Sequence, residues 1–175
     1  MSRSPSGRPG PADNPEAPPG PGAAAPQIAL CNQFGETIEL AAAAGGPTLV
    51  MFYPFAFSRT CGAELTEVHR RWPEFHQMRT RLLAISCDAV HTLRAYAEEL
   101  REAGAAGSTP DLHLLSDFWP HGAAAQRYGA FNRETGAAHR VSFLVDEQLN
   151  IAHIVTSEDG EARSLDHTLE LLRSM

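Results

Sequence analysis

A chain of 175 residues suits one domain built around one core. With 43% apolar residues and a mean hydropathy of -0.25 it reads as an ordinary soluble globule, and a formal charge of -7 argues against nucleic acid, which favours a basic stripe. All 14 basic residues are arginine, a compositional bias that carries no mechanistic weight. The three cysteines, Cys31, Cys61 and Cys87, are odd in number and widely spaced, which fits neither a disulfide framework nor a zinc knuckle. No stretch approaches the roughly 20 apolar residues of a membrane span. Arg3 and Arg8 are followed by no apolar run, so no secretory signal is expected, and the expectation is a cytoplasmic protein with reduced thiols.

Residues 1–26 hold eight of the 13 prolines among Gly, Ala and Ser. Such a segment buries too little apolar surface to offset its ordering entropy, so residues 1–24 are expected to be a disordered tail and residues 25–175 the folded domain. Ile28 and Leu30, then Thr37, Ile38 and Leu40, flank a Gly35-containing loop and predict a hairpin. Thr48 to Tyr53 is a short run apolar on both faces, as in a strand buried inside a mostly parallel sheet. Leu65, Val68, Trp72 and Phe75 form the stripe of an amphipathic helix that Pro73 bends or restarts. Arg81 to Cys87 reads as a second buried strand, Leu93 to Leu100 as a helix stopped by Gly104 and Gly107, and Leu112 to Leu115 as a third strand. Ser116 or Asp117 can cap a helix through Ala123 to Tyr128. Val141 to Val145 and Ile151 to Val155 predict a hairpin, and Leu165 to Leu172 a closing helix. This alternation predicts an α/β fold in which a central mixed sheet is flanked by helices, the N-terminal hairpin at its start.

Between the Thr48–Tyr53 strand and the helix that follows lies Pro54-Phe55-Ala56-Phe57-Ser58-Arg59-Thr60-Cys61. A proline turn thus delivers a thiol into the first turn of a helix, where backbone N–H groups and the dipole favour a thiolate. Ser58, three residues earlier, can donate its hydroxyl to that thiolate or to a bound oxygen. Pro54 fixes φ and removes a competing N–H. A lone cysteine is more often a buried core residue, and Ser58 alone would be a plain helix cap.

The pattern Pro-x-x-x-Ser-x-x-Cys after a buried strand resembles the signature of the peroxiredoxins, the alkyl hydroperoxide reductase C and thiol-specific antioxidant family. The resemblance extends to Pro26-x-Ile28-x-Leu30, to Cys61-Gly62-Ala63-Glu64-Leu65, to Tyr128-Gly129-x-Phe131-Asn132 and to Arg140-x-x-Phe143-x-Val145-Asp146. Leu114 to Gly122 resembles the loop of the one-cysteine E subgroup. The resemblance implies a thioredoxin-like fold and a thiol peroxidase; no P-loop, dinucleotide fingerprint or metal-ligand cluster appears in the sequence, so no cofactor or metal is expected. By the same resemblance Cys61 is the peroxidatic nucleophile that becomes a sulfenic acid, and Pro54 and Ser58 shield and hydrogen-bond the peroxide. Arg140 pairs with the thiolate, and Glu64 orients an arginine in support. Taken singly, Arg140 would be a solvated surface charge, and Trp119 and His121 are read as packing and loop residues.

The chain departs from the family in two ways. Ser58 replaces the usual Thr, keeping the hydroxyl and losing a methyl. Position 66, where a resolving cysteine could stand, is Thr66, and the C-terminal Val-Cys-Pro of two-cysteine members is absent. Cys87 reads as a small core residue, whereas a redox partnership for Cys31 stays open. The implied cycle is one-cysteine, with an external thiol attacking the sulfenate. The E-subgroup likeness implies mycothiol with a glutaredoxin-like protein, thioredoxin being the competing reductant, and a homodimer or higher assembly. A disulfide exchanger would need cysteine where Glu64 stands. A peroxide sensor or redox-regulated holdase using Cys61 without turnover is the remaining alternative.

Overall fold

The computed structural model describes residues 18–43, 45–103, 112–157 and 161–175. The chain opens with an antiparallel hairpin, β1 (Ala29–Asn32) and β2 (Thr37–Glu39), turned by Asn32, whose Oδ1 accepts from the N–H groups of Phe34 and Glu36. Gly35 sits there at φ 85°, where a side chain would be strained.

Next comes β3 (Thr48–Phe52), buried throughout. Its alternation divides the core: Leu49 and Met51 join one apolar cluster, Val50 and Phe52 the other, so both faces of the strand are covered. The predicted amphipathic helix is two pieces, α1 (Arg59–Arg70) and α2 (Trp72–Gln77). Pro73 lies in the first turn of α2, where its missing N–H has no helical partner to lose, so it restarts the helix instead of bending it. The chain continues through β4 (Arg81–Ser86), α3 (Val90–Ala103) and β5 (Leu112–Ser116). Gly104 and Gly107, the expected stop for α3, lie outside the described residues.

Helix α4 (Ala123–Arg127) starts at Gly122 with no capping bond from that residue. Its free N–H groups are satisfied from a distance by the buried Asp117 carboxylate, which accepts from Ala124 at 3.0 Å and Ala125 at 2.8 Å. The short pair β6 (Phe131–Asn132) and β7 (Ala137–Ala138) carries too few residues to show a period, and sequence reading passes over it. Then follow β8 (Val141–Val145), β9 (Ile151–Thr156) and α5 (Leu165–Arg173), which Ser164 caps by accepting from His167 N–H.

The sheet runs β2-β1-β5-β4-β3-β8-β9. Its centre, β5-β4-β3, is parallel, and both flanks are antiparallel. This is the expected mixed sheet. Helices α1, α3 and α5 cover the Leu49–Met51 face, whereas Tyr128, Ala125 and the opening segment from Ala25 cover the other.

Residues 1–17 lie outside the described residues, so the tail expected over 1–24 is described only in its last part. That part, from Pro18 to Ala24, runs along the last hairpin. Gly22 N–H donates to Ile151 O at 2.7 Å and Ile151 N–H to Ala23 O at 2.8 Å. Gly129, at φ 64°, lets Pro18 close in: a Cβ built there would stand 2.5 Å from the Pro18 Cβ. Composition misses this because the contacts are made by backbone groups pairing with the hairpin.

Candidate active site

Strand β3 ends at Phe52, and within nine residues the chain must turn and enter α1. Tyr53 N–H still bonds Ile85 O at 3.0 Å, so the loop leaves the sheet only at the half-buried Pro54. The loop is pinned from β4's far end. Ala56 N–H donates to Asp88 Oδ2 at 2.8 Å, and the same oxygen takes the Ser86 hydroxyl at 2.8 Å. Phe57 then adopts φ 62°, a left-handed conformation that a bulky residue holds only when its surroundings impose it. Ser58 caps α1: its Oγ accepts from Cys61 N–H at 3.4 Å. An acceptor bond of this kind leaves the hydroxyl proton available to an oxygen bound in the loop.

Cys61, in the first turn of α1, is fully buried. Arg140 arrives from 79 positions away in sequence, immediately before β8 and just after β7, whose exit is fixed by a His139 N–H bond to Ala130 O at 2.6 Å. Its Nη1 donates to Cys61 Sγ at 3.3 Å and to Glu64 Oε2 at 2.7 Å. Burial works against the Arg140 charge, but Cys61 and Glu64 outweigh it and hold the guanidinium more firmly protonated than a free arginine.

Glu64 lies one turn after Cys61, on the same buried side of α1. The sequence expectation gave it one arginine; it holds two. Arg163, 3% exposed in its side chain, donates to Glu64 from Nε at 3.0 Å and Nη2 at 3.1 Å, and its own N–H adds a 2.7 Å bond. Arg163 also donates to Phe52 O at 2.8 Å and to Ser142 Oγ at 3.0 Å, tying the end of β3 to β8. Burial alone would raise the Glu64 carboxyl, but the Arg163 hydrogen bonds and charge, with Arg140 behind them, leave it below the ordinary carboxylate range. Arg163 and Asp88 escape sequence reading. Arg163 stands just before a capped helix, where an arginine normally faces solvent, and no spacing connects it to Glu64.

Four of the five residues singled out from sequence thus meet: Cys61, Arg140 and Glu64 in direct contact, Ser58 through the Cys61 N–H. Pro54 opens the same loop. The other cysteines are elsewhere. Cys31 is exposed on β1, paired across the ladder with Thr37 and Ser116. Cys87, just beyond β4, is buried, and burial, with Asp117 and Asp88 adding to it, pushes its thiol up to about 11. That thiol is an inert core group, as expected. Trp119 is 81% exposed and Phe118 52%, which departs from the packing role expected of Trp119. Among the described residues no cluster of side chains could hold a metal ion, and no helix is long and apolar enough to cross a membrane.

Comparison with known proteins agrees with this geometry. Residues 21–154 match the AhpC/TSA family. The alkyl hydroperoxide reductase E proteins of Mycobacterium tuberculosis and Mycobacterium bovis are 36% identical over 143 residues, covering 81% of this chain and 88% of theirs. Peroxiredoxin 1 of Brugia malayi is 30% identical over 147 residues, covering 83% of this chain and 63% of its own. The crystal structure of peroxidoxin BcpB from Mycobacterium tuberculosis superimposes with a TM-score of 0.75 at 25% identity, covering 89% of this chain and 97% of the other. Enterococcus faecalis AhpC, at 20% identity and a TM-score of 0.73, shares the fold. The chain therefore belongs to the AhpC/TSA family: it is a peroxiredoxin with a thioredoxin-like fold, an oxidoreductase that reduces peroxides with electrons from thiols.

Proposed function

We propose that this peroxiredoxin runs a one-cysteine cycle on hydrogen peroxide and organic hydroperoxides, with Cys61 as its nucleophile. The carrying observation is the 3.3 Å contact between Arg140 Nη1 and a Cys61 sulfur that is fully buried. The thiolate attacks the O–O bond, sulfur gains one oxygen, and the alcohol or water departs. A guanidinium that cannot deprotonate steadies both the attacking sulfur and the charge growing on the leaving oxygen. Ser58 offers its hydroxyl to the bound peroxide, Pro54 shapes and shields the loop, and Glu64 aims Arg140. Support for organic hydroperoxides comes from the name of the mycobacterial relatives, alkyl hydroperoxide reductase E.

Regeneration falls to an external thiol, because Cys31 is exposed on β1, outside the Cys61 site, and Cys87 holds its proton. Mycothiol with a glutaredoxin-like protein is the proposed reductant, thioredoxin its competitor, in a cytoplasmic homodimer or larger assembly that serves antioxidant defence. A sensor or holdase acting without turnover is disfavoured by the preorganised arginine, which accelerates the chemistry that turnover needs.

Two measurements test this. Mass spectrometry after one equivalent of peroxide is expected to find one added oxygen on Cys61 and no intramolecular disulfide. Turnover with peroxide and an added thiol is expected to stay within about twofold of wild type in the Cys31→Ser/Cys87→Ser protein, since surface and inert-core thiols contribute little. A collapse of that turnover would overthrow the one-cysteine cycle.

A further inference from the structure

Tyr96 is fully buried, yet its hydroxyl has no hydrogen-bond partner. A phenylalanine would fill the same space without stranding a polar atom; Thr48 Oγ1, Tyr53 Oη and Thr80 Oγ1 are likewise unpartnered, and Tyr96 is set apart by where its hydroxyl lies. Its position is informative. Tyr96 projects from α3 into the apolar cluster that contains Cys61, with its ring 5.0 Å from that of Phe57 and 6.4 Å from that of Tyr53. Its Oη would stand 3.8 Å from a Cβ built on Gly62, the residue after Cys61. The hydroxyl therefore lies against the first turn of α1, and the Tyr96 ring against Phe57 of the loop before it. Burial, and after it the negative charge of Cys61, pushes the phenol well above the ordinary tyrosine range, so Oη keeps its proton and acts as a donor.

In the reduced protein the Cys61 sulfur takes its hydrogen bond from Arg140, and none links it to Tyr96. Oxidation changes the acceptor. In the step CysS⁻ + ROOH → CysSO⁻ + ROH, sulfur gives up two electrons, the S–O bond forms as O–O breaks, and the peroxide's proton leaves with the alcohol. The new oxygen extends one bond beyond a sulfur already shut off from water, and it needs a donor there.

We propose that Tyr96 is a positioning residue for the oxidised enzyme, its hydroxyl donating to the oxygen that Cys61 acquires. The inference rests on the peroxidatic reading of Cys61 and extends it to the fate of the product. A hydrogen bond at that oxygen draws electron density from the sulfur. It slows the second oxidation, CysSO⁻ + ROOH → CysSO₂⁻ + ROH, and leaves the sulfur open to attack by the reducing thiol. The unpartnered hydroxyl of the reduced state is then a group waiting for its acceptor.

The test is Tyr96→Phe in the Cys31→Ser/Cys87→Ser background, with sulfenic and sulfinic forms resolved in time by quenched-flow mass spectrometry. The ratio of the second oxidation rate to the first is expected to rise about tenfold, the effect of one lost hydrogen bond to a charged group. Thermal melts supply a second reading. Reduced Tyr96→Phe is expected to melt no lower than its parent, and the rise in Tm on sulfenate formation is expected to shrink in the variant. An unchanged ratio, or an equal Tm shift in both proteins, overturns the role of Tyr96. A parent protein that gains no oxygen on Cys61 overturns the peroxidatic reading and this inference with it.

Discussion

Replacing Arg140 with methionine is expected to lower the rate constant for peroxide by about 10²- to 10³-fold, the effect of removing one preorganised donor from a developing charge. The fold should survive, because Glu64 keeps its three bonds from Arg163 when Arg140 is lost. Arg140→Lys is expected to recover only part of the rate. An ammonium on a flexible stem is held less firmly than the planar guanidinium whose Nη1 serves both Cys61 and Glu64. Stopped-flow fluorescence of Trp72 and Trp119 against peroxide reads the step directly. A methionine variant within about threefold of wild type would remove Arg140 from the chemistry, since one ordinary neutral hydrogen bond accounts for a factor of that size.

Arg163→Met should act on stability instead. It leaves the buried Glu64 carboxylate with Arg140 as its one remaining arginine and takes the donors from Phe52 O and Ser142 Oγ together. Breaking a buried ion pair from one side costs about 3–5 kcal/mol. For a chain of this size that is a Tm loss of roughly 6–20 °C. The pH dependence has a definite sign. Glu64 has a depressed folded-state pKa, so its contribution is complete above the ordinary glutamate value near 4.3 and fades as pH falls through the folded value. In Arg163→Met the main depressing influence is gone, and burial favours the protonated acid. The deficit against wild type should therefore be widest at neutral pH and narrow under acid. Urea titrations at pH 7 and pH 4 check it; a deficit of equal size at both would mean that Glu64 is not the group responsible.

Sequence alone carried the fold a long way because the informative patterns are local. The both-faced apolar run of β3, the helical stripe from Leu65 to Phe75 and the turn residues of the two hairpins each report on neighbours within a few positions. The same locality explains Ser58, a cap three residues from the N–H it serves. Arg140 was reached differently, through likeness to a family, since nothing in residues 137–140 points 79 positions back. Arg163 and Tyr96 stayed hidden for a physical reason. Their importance lies in what they are buried against, Glu64 in one case and the Cys61 turn in the other, and burial of a polar group leaves no periodic trace. The pairing of Gly22 and Ala23 with Ile151 of β9 is made by backbone atoms, which composition does not report.

The shared carboxylate of Glu64 has a consequence for the whole catalytic cycle. Two guanidinium groups and one carboxylate sum to a single positive charge beside the buried Cys61, with Glu64 and Arg163 buried and Arg140 partly so. An anionic sulfur brings that sum to zero, and so does an anionic sulfenate. A sulfur tied up in a mixed disulfide is uncharged and leaves that positive charge unanswered, which is unfavourable where solvent screens it poorly. In the proposed cycle the electrostatic low points are therefore the states that carry an anionic sulfur or an anionic sulfenate. The adduct between them sits uphill, and Cys61 is the sulfur that gains most by departing as an anion. By this arrangement the protein lends direction to its own regeneration, whichever thiol delivers the electrons.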